Sequence, residues 1–134
     1  MRDVIVDSSV LIDVLLRDKE WFEWSSSALA AAGNEATVVI NPIIYAEISV
    51  RYRSVDDLNK ALPPALCRRD DLPYAAAFLA GRAFVKYRRQ GGSRISPMPD
   101  FYIGAHAEVA GFRVLTRDPR RFKRYFPTVE LIAP

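Results

Sequence analysis

Four acidic residues each stand where an apolar run stops, and this placement constrains the chain more than any other feature. Asp7 follows Val4-Ile5-Val6, and Glu47 lies in a helix-like segment just after Thr37-Val38-Val39-Ile40. Asp100 opens the segment Asp100-Phe101-Tyr102-Ile103-Gly104, and Asp118 closes Phe112-Arg113-Val114-Leu115-Thr116-Arg117. Strand-like runs that alternate with helical segments build a parallel sheet, and ligands gather at the carboxyl ends of its strands. Four carboxylates at one rim repel each other unless a cation sits among them. A hard divalent ion with oxygen ligands is the natural choice, and Mg2+ or Mn2+ fits best. The pattern points to a metal-dependent enzyme acting on phosphates.

The chain has 134 residues, half of them hydrophobic, which suits one ordered domain spanning residues 1–134 with a real core. No apolar run approaches the roughly 20 residues that cross a bilayer, so no membrane partner is expected. The N-terminus leads straight into a strand and shows no signal-peptide pattern. Cys67 is the only cysteine, so no internal disulfide framework is expected, and a reducing cytoplasm is the simplest location. Net charge is +3, but it is unevenly spread. From Arg82 onward the sequence holds eleven Lys and Arg against four acids, while residues 1–81 hold eight against twelve. A basic surface around an acidic pocket suits a polyanion held by its backbone. A solvated surface with an accidental bias is the plain alternative.

Turn and cap signals divide the chain into the order β-α-α-β-α-α-α-α-β-α-β. The expected fold is an α/β sandwich with a small, mostly parallel sheet flanked by helices. The first strand is expected over residues 2–6 and a short helix from Val10 to about Leu16. A second helix carries Trp21, Phe22 and Trp24 and ends at Gly33-Asn34. Asn41-Pro42 reads as N-cap and first helical position of a helix reaching about Tyr52. Ser54 starts the next helix. A long helix follows Asp71-Leu72-Pro73 and stops at Gln90-Gly91-Gly92, ahead of a loop that has room for a short strand at Arg94-Ile95. Further elements are a helix from about Asp100 to Gly111, a strand over 112–115, a short helix after Asp118-Pro119 and a last strand over 128–132.

Each acid also has an ordinary structural role open to it. Asp7 is placed to cap a helix, although Ser8 or Ser9 would cap equally well and free Asp7 to face the crevice. Glu47 shares a face with Ile43 and Val50, where a lone carboxylate is costly unless it is paired or metal-bound. Arg51, one turn on, is the pairing alternative. Asp100 and Asp118 sit where acids favour helix starts. Thr116, two residues before Asp118, is placed to hydrogen-bond a ligand carboxylate.

Four blocks of sequence, in order, resemble the PIN-domain ribonucleases, and most closely the VapC-type toxins of toxin–antitoxin pairs. They are Val6-Asp7-Ser8-Ser9-Val10-Leu11-Ile12-Asp13, Tyr45-Ala46-Glu47-Ile48, Pro99-Asp100-Phe101-Tyr102-Ile103-Gly104-Ala105-His106-Ala107 and Leu115-Thr116-Arg117-Asp118-Pro119-Arg120-Arg121-Phe122. The resemblance covers essentially the whole chain. It implies a Mg2+- or Mn2+-dependent endoribonuclease whose metal site and catalytic set are Asp7, Glu47, Asp100 and Asp118, with Thr116 or Asp118 completing the set. It also implies an RNA substrate, a small antitoxin that silences the protein, and a homodimer or a dimer of toxin–antitoxin heterodimers. Water attack would leave a 5′-phosphate and a 3′-hydroxyl.

Other residues carry less. Asp13 reads as a surface residue, His106 as a packed or surface histidine, and Cys67 has no partner for a nucleophilic role. Trp21, Phe22 and Trp24 suit a core or a groove that receives a partner's helix. Arg82, Lys86 and Arg89 form one basic stripe. Arg117, Arg120, Arg121, Lys123 and Arg124 form a second cluster beside Asp118. Each is a solvated face or an RNA backbone contact. A phosphotransfer domain with strand-end acids needs a second acid beside Asp7 and a lysine directly after a late strand, whereas this chain has Asp7-Ser8-Ser9 and Thr116-Arg117-Asp118 at those places. A nucleic-acid-binding module without catalysis, or a housekeeping ribonuclease on the same fold, is the remaining alternative.

Overall fold

The computed structural model describes residues 2–134. Three short strands form the centre, two of them wholly apolar: β1 (Val4–Val6), β2 (Val38–Ile40) and β4 (Arg113–Leu115), in which Arg113 is buried beside Val114 and Leu115. All three are buried throughout, as runs covered on both faces of a parallel sheet must be. The two-residue strands β3 (Arg68–Arg69) and β5 (Leu131–Ile132) complete an all-parallel sheet of order β3-β2-β1-β4-β5. Val4 pairs with Val38 on one side of β1 and with Arg113 on the other.

That order has a functional consequence. The chain leaves β1 towards β2 and β3, then returns to place β4 on the opposite side of β1. The connections after β1 and β4 therefore part in opposite directions. A crevice opens beyond the carboxyl ends of these neighbours, where open α/β sheets bind ligands.

Seven helices cover the sheet: α1 (Ser8–Leu15), α2 (Phe22–Glu35), α3 (Pro42–Ser49), α4 (Val55–Ala61), α5 (Tyr74–Arg89), α6 (Pro99–Ala110) and α7 (Arg120–Tyr125). Their starts follow the expected chemistry. The Asn41 side chain accepts from the Ile44 N–H at 3.0 Å with Pro42 behind it, and Ser54 accepts from the Asp57 N–H at 3.1 Å. Gly111 ends α6 with φ 76°, a left-handed conformation that costs glycine nothing.

The main core packs the sheet against α1, α3 and α6 through residues such as Ile5, Leu11, Ile44, Ile48 and Ile103. A second cluster joins α5, α6 and α7. Ala76, Ala80 and Ala83 recur on one face of α5 and let it approach α6 closely, around Phe101 and Phe126. Gly104 faces the Phe126 ring so tightly that an added Cβ would fall 2.3 Å from it. This packing sets the position of α6, and with it Asp100 in its first turn.

Several expectations need correction. Strand β3 was not foreseen, because Arg68-Arg69 carries no strand pattern; Arg68 is fixed instead by Asp3 and Asp70 at 2.9 and 2.8 Å. Charged residues of this kind suit an exposed sheet edge. Arg94-Ile95 forms no strand. Helix α2 runs through Gly33-Asn34 to Glu35, and α3 stops at Ser49, which leaves Val50 80% exposed and off any apolar face with Glu47.

Candidate active site: a carboxylate cleft at the switch point

Asp7 follows β1 directly, and its backbone N–H donates to Leu115 O at 2.8 Å, so the sheet pairing carries it to the rim. It occupies the N-cap position of α1, yet its carboxylate makes no capping hydrogen bond. Asp7 Oδ2 accepts instead from Thr116 Oγ1 at 2.8 Å and Ser9 Oγ at 3.0 Å. The residue is 6% exposed. Burial pushes its pKa up, and repulsion from Asp100 adds to that, against the two hydroxyl hydrogen bonds.

Glu47 projects from the last turn of α3 and accepts from Ser8 Oγ at 2.8 Å. Burial raises its pKa, the Ser8 hydrogen bond opposes this, and Asp7 and Asp100 repel its charge; Arg51 helps the charged form only weakly. Asp100 is also pushed up, mainly by burial, despite the Arg121 guanidinium 3.3 Å away.

Asp118 differs from the other three. Its side chain is 53% exposed, and Arg120 grips both oxygens at 2.9 and 2.8 Å, which holds its pKa below the ordinary value. Its backbone N–H donates to Thr116 Oγ1 at 3.1 Å. Thr116, fully buried, thus bonds both Asp7 and the turn carrying Asp118.

All four acids line one open cleft of about 360 Å³, together with Ser8, Ser9, Arg51 and Arg117. Asp100 and Asp118 are also shared with an adjoining cleft of about 330 Å³, walled by Arg120, Arg121, Arg124, Tyr87 and Tyr125. An acidic pocket therefore opens into a basic, aromatic one. Arg82, Lys86 and Arg89 line neither cleft; they are exposed on the outer face of α5. Among the described residues, no Lys or Arg forms an ion pair with Asp7 or Glu47. These two cleft carboxylates lack a paired cation, and they offer the hard oxygen donors that Mg2+ and Mn2+ take. The donor chemistry fits such an ion. Among the described residues, no three acidic, histidine or cysteine side chains stand in a ligating arrangement, and Asp100 and Asp118 contact arginines.

Asp13 is not on the surface. It is 1% exposed, accepts from Ser25 Oγ at 2.7 Å and lies 2.9 Å from Arg117 Nε. The earlier expectation counted helix faces from Asp7 and missed that α2 covers this face. His106 is buried against Asn41, 3.1 Å from its side-chain nitrogen, and burial lowers its pKa. Cys67 is buried and free. Trp21, Phe22 and Trp24 are partly buried; Trp24 packs on the main core, edge-on to Trp21. Ser8 and Ser9, expected only as caps, instead donate to Glu47 and Asp7 at the cleft. Their only signal was a pair of hydroxyls directly after a strand-end acid.

A family model described as PIN domain matches residues 4–126. Solved structures with the same fold include VapBC2 from Rickettsia felis bound to a DNA fragment from their promoter, at 16% identity, TM-score 0.74 and 98% coverage of each chain. FitAcB from Neisseria gonorrhoeae gives 20% identity, TM-score 0.71 and 96% coverage of each chain. DNA-bound VapBC from Salmonella typhimurium gives 20% identity and TM-score 0.67, covering 99% of this chain and 98% of that one. No curated protein sequence matches the chain.

Proposed function

This chain belongs to the PIN domain family, and we propose that it is a Mg2+- or Mn2+-dependent endoribonuclease acting as the toxin of a toxin–antitoxin pair. The observation that carries the metal-dependent reading is the buried Asp7 and the half-buried Glu47, held by hydroxyls and raised in pKa, with no ion-pair partner among the described residues. A site that disfavours its own charges calls for an external cation.

Asp7, Glu47 and Asp100 would hold the ion, with Asp118 at the open side. A divalent ion bound there supplies a water activated for attack and offsets charge growing on the phosphate. The chain's own residues do the rest. Thr116, Ser9 and Ser8 fix the carboxylate rotamers, so the donors are ordered before the ion arrives. The arginine-walled cleft next door takes RNA phosphates, and its two tyrosines offer aromatic surface beside them.

The toxin assignment draws on solved relatives that are toxin–antitoxin complexes of nearly equal length. A small antitoxin, a dimeric assembly and a cytoplasmic location form part of the proposal. No helix is long and apolar enough to cross a membrane. A nucleic-acid-binding module without catalysis is favoured by one observation, the absence of a ready ligating triad among the described residues.

The deciding experiment is RNA cleavage by the purified protein with Mn2+, Mg2+ or chelator, alongside Asp7→Asn and Asp100→Asn. Metal-dependent cleavage abolished by both substitutions, with folding intact, is the expected result. Metal-independent cleavage, or calorimetry showing no binding of either ion, would overturn it.

A further inference from the structure

We propose that Arg117 contacts the substrate phosphate in the carboxylate cleft, and that the buried Asp13 positions it; the inference rests on the nuclease reading above. Asp13 lies on α1, does not line the cleft and is 1% exposed. A carboxylate at that depth is costly unless paired. Its oxygen Oδ2 meets Ser25 Oγ at 2.7 Å and Arg117 Nε at 2.9 Å. Among the described residues, Arg117 is the only cation that pairs with Asp13, so the buried charge is matched by that side chain.

Arg117 sits between Thr116, which bonds Asp7, and Asp118, and its side chain lines the cleft with the four acids. The guanidinium carbon lies 5.5 Å from the centre of the Trp21 ring, and the side chain is 34% exposed. Nε lies 2.9 Å from Asp13 Oδ2 as an ion pair without hydrogen-bond alignment, so charge pairing and the Trp21 ring hold the side chain in place, and the terminal nitrogens remain for a ligand.

The other arginines of the site are placed differently. Arg120 and Arg121 are engaged by Asp118 and Asp100, the same carboxylates a metal would claim. Arg51 lines the cleft but is exposed and forms no ion pair with a described acid. Arg117 is anchored by an acid outside the cleft, so its position does not depend on whether the cleft acids are metal-bound. A cation held in place beforehand stabilises developing phosphate charge without a reorganisation cost.

The test uses Arg117→Lys, which keeps the charge beside Asp13 but loses the fork, with Asp13→Asn, which keeps an acceptor for Ser25, and the double variant. Cleavage of a single-stranded RNA oligonucleotide is measured with Mn2+, and RNA affinity is measured in an Asp7→Asn background. Arg117→Lys should lower kcat by about 10²-fold, the scale of losing one preorganised charge-stabilising donor. Asp13→Asn should lower kcat by less, and the double variant should be no worse than Arg117→Lys, since both act through one contact. Mn2+ affinity by calorimetry should be unchanged in all three. Parent-like kcat and RNA affinity in folded Arg117→Lys and Asp13→Asn, or strictly additive losses, would overturn the proposal while leaving the nuclease reading intact. A parent protein that neither cleaves nor binds RNA with either metal would overturn both.

Discussion

The Thr116 hydroxyl donates to Asp7 Oδ2 at 2.8 Å across the seam between β4 and β1. It also accepts the Asp118 N–H, so one side chain ties two members of the acid set. Thr116→Val keeps the shape and removes both bonds. It should cost about 1–3 kcal/mol by denaturant unfolding, because the buried carboxylate and the amide each lose a partner. Mn2+ affinity should weaken with it, and Thr116→Ser should restore most of both. Wild-type metal affinity in Thr116→Val would show that the hydroxyl does not order the site.

The acid cleft should make the metal-free protein sensitive to pH in an unusual direction. Burial foremost raises Asp7, Glu47 and Asp100 above their ordinary values of 3.8, 4.5 and 3.8. A folded pKa above the unfolded one gives stability that is present while the group is protonated. That stability is lost as pH climbs through the raised value. With chelator present, the melting temperature should therefore fall as pH rises from those ordinary values upward. Asp118 shifts the other way but is exposed and contributes little. Millimolar Mn2+ should reverse the trend, because the ion binds the deprotonated acids. Asp7→Asn should raise the metal-free melting temperature at neutral pH and flatten the slope; a fall would contradict the repulsion on which the reading depends.

Arg121 lies 3.3 Å from Asp100, so a divalent ion bound there would compete with it for the carboxylate. Arg121→Ala should tighten Mn2+ binding in calorimetry while weakening RNA binding and making its salt dependence shallower. Weaker metal binding would mean that the guanidinium supports the site rather than competing for it.

Gly104→Ala would place a methyl 2.3 Å from the Phe126 ring. Overpacking of this kind costs about 1–3 kcal/mol. The helix that gives way is α6, so Asp100 should move and metal affinity should drop beyond what the stability loss explains. Pairing it with Phe126→Leu should recover part of both. Additive losses in the double variant would place the strain elsewhere.

The sequence announced the three central strands because each is a mostly apolar run, with Asp7 directly after β1 and Asp118 shortly after β4, while Glu47 and Asp100 lie in helices. It also carried the α/β class, helped by caps such as Asn41-Pro42 and Ser54, and the family resemblance, through the four blocks around Asp7, Glu47, Asp100 and Asp118. The buried role of Asp13 was hidden because its partners, Ser25 and Arg117, are 12 and 104 residues away and meet only in the folded chain. Strand β3 was hidden because edge pairing, not side-chain pattern, makes Arg68-Arg69 a strand. The same reason separates Arg117 from the rest of its basic cluster: five clustered cations look alike until their anions are known.

The strand order also has a temporal meaning. Asp7 precedes its partner Thr116 by 109 residues, and Thr116 directly follows the strand that slots in beside β1. While that segment is still on the ribosome, the nascent chain holds Asp7 without Thr116 and without the arginine-lined wall of α7. A chain cut short before Thr116 would hold Asp7 without its hydroxyl partner and without the wall of α7, so the cleft would be missing rather than loosened.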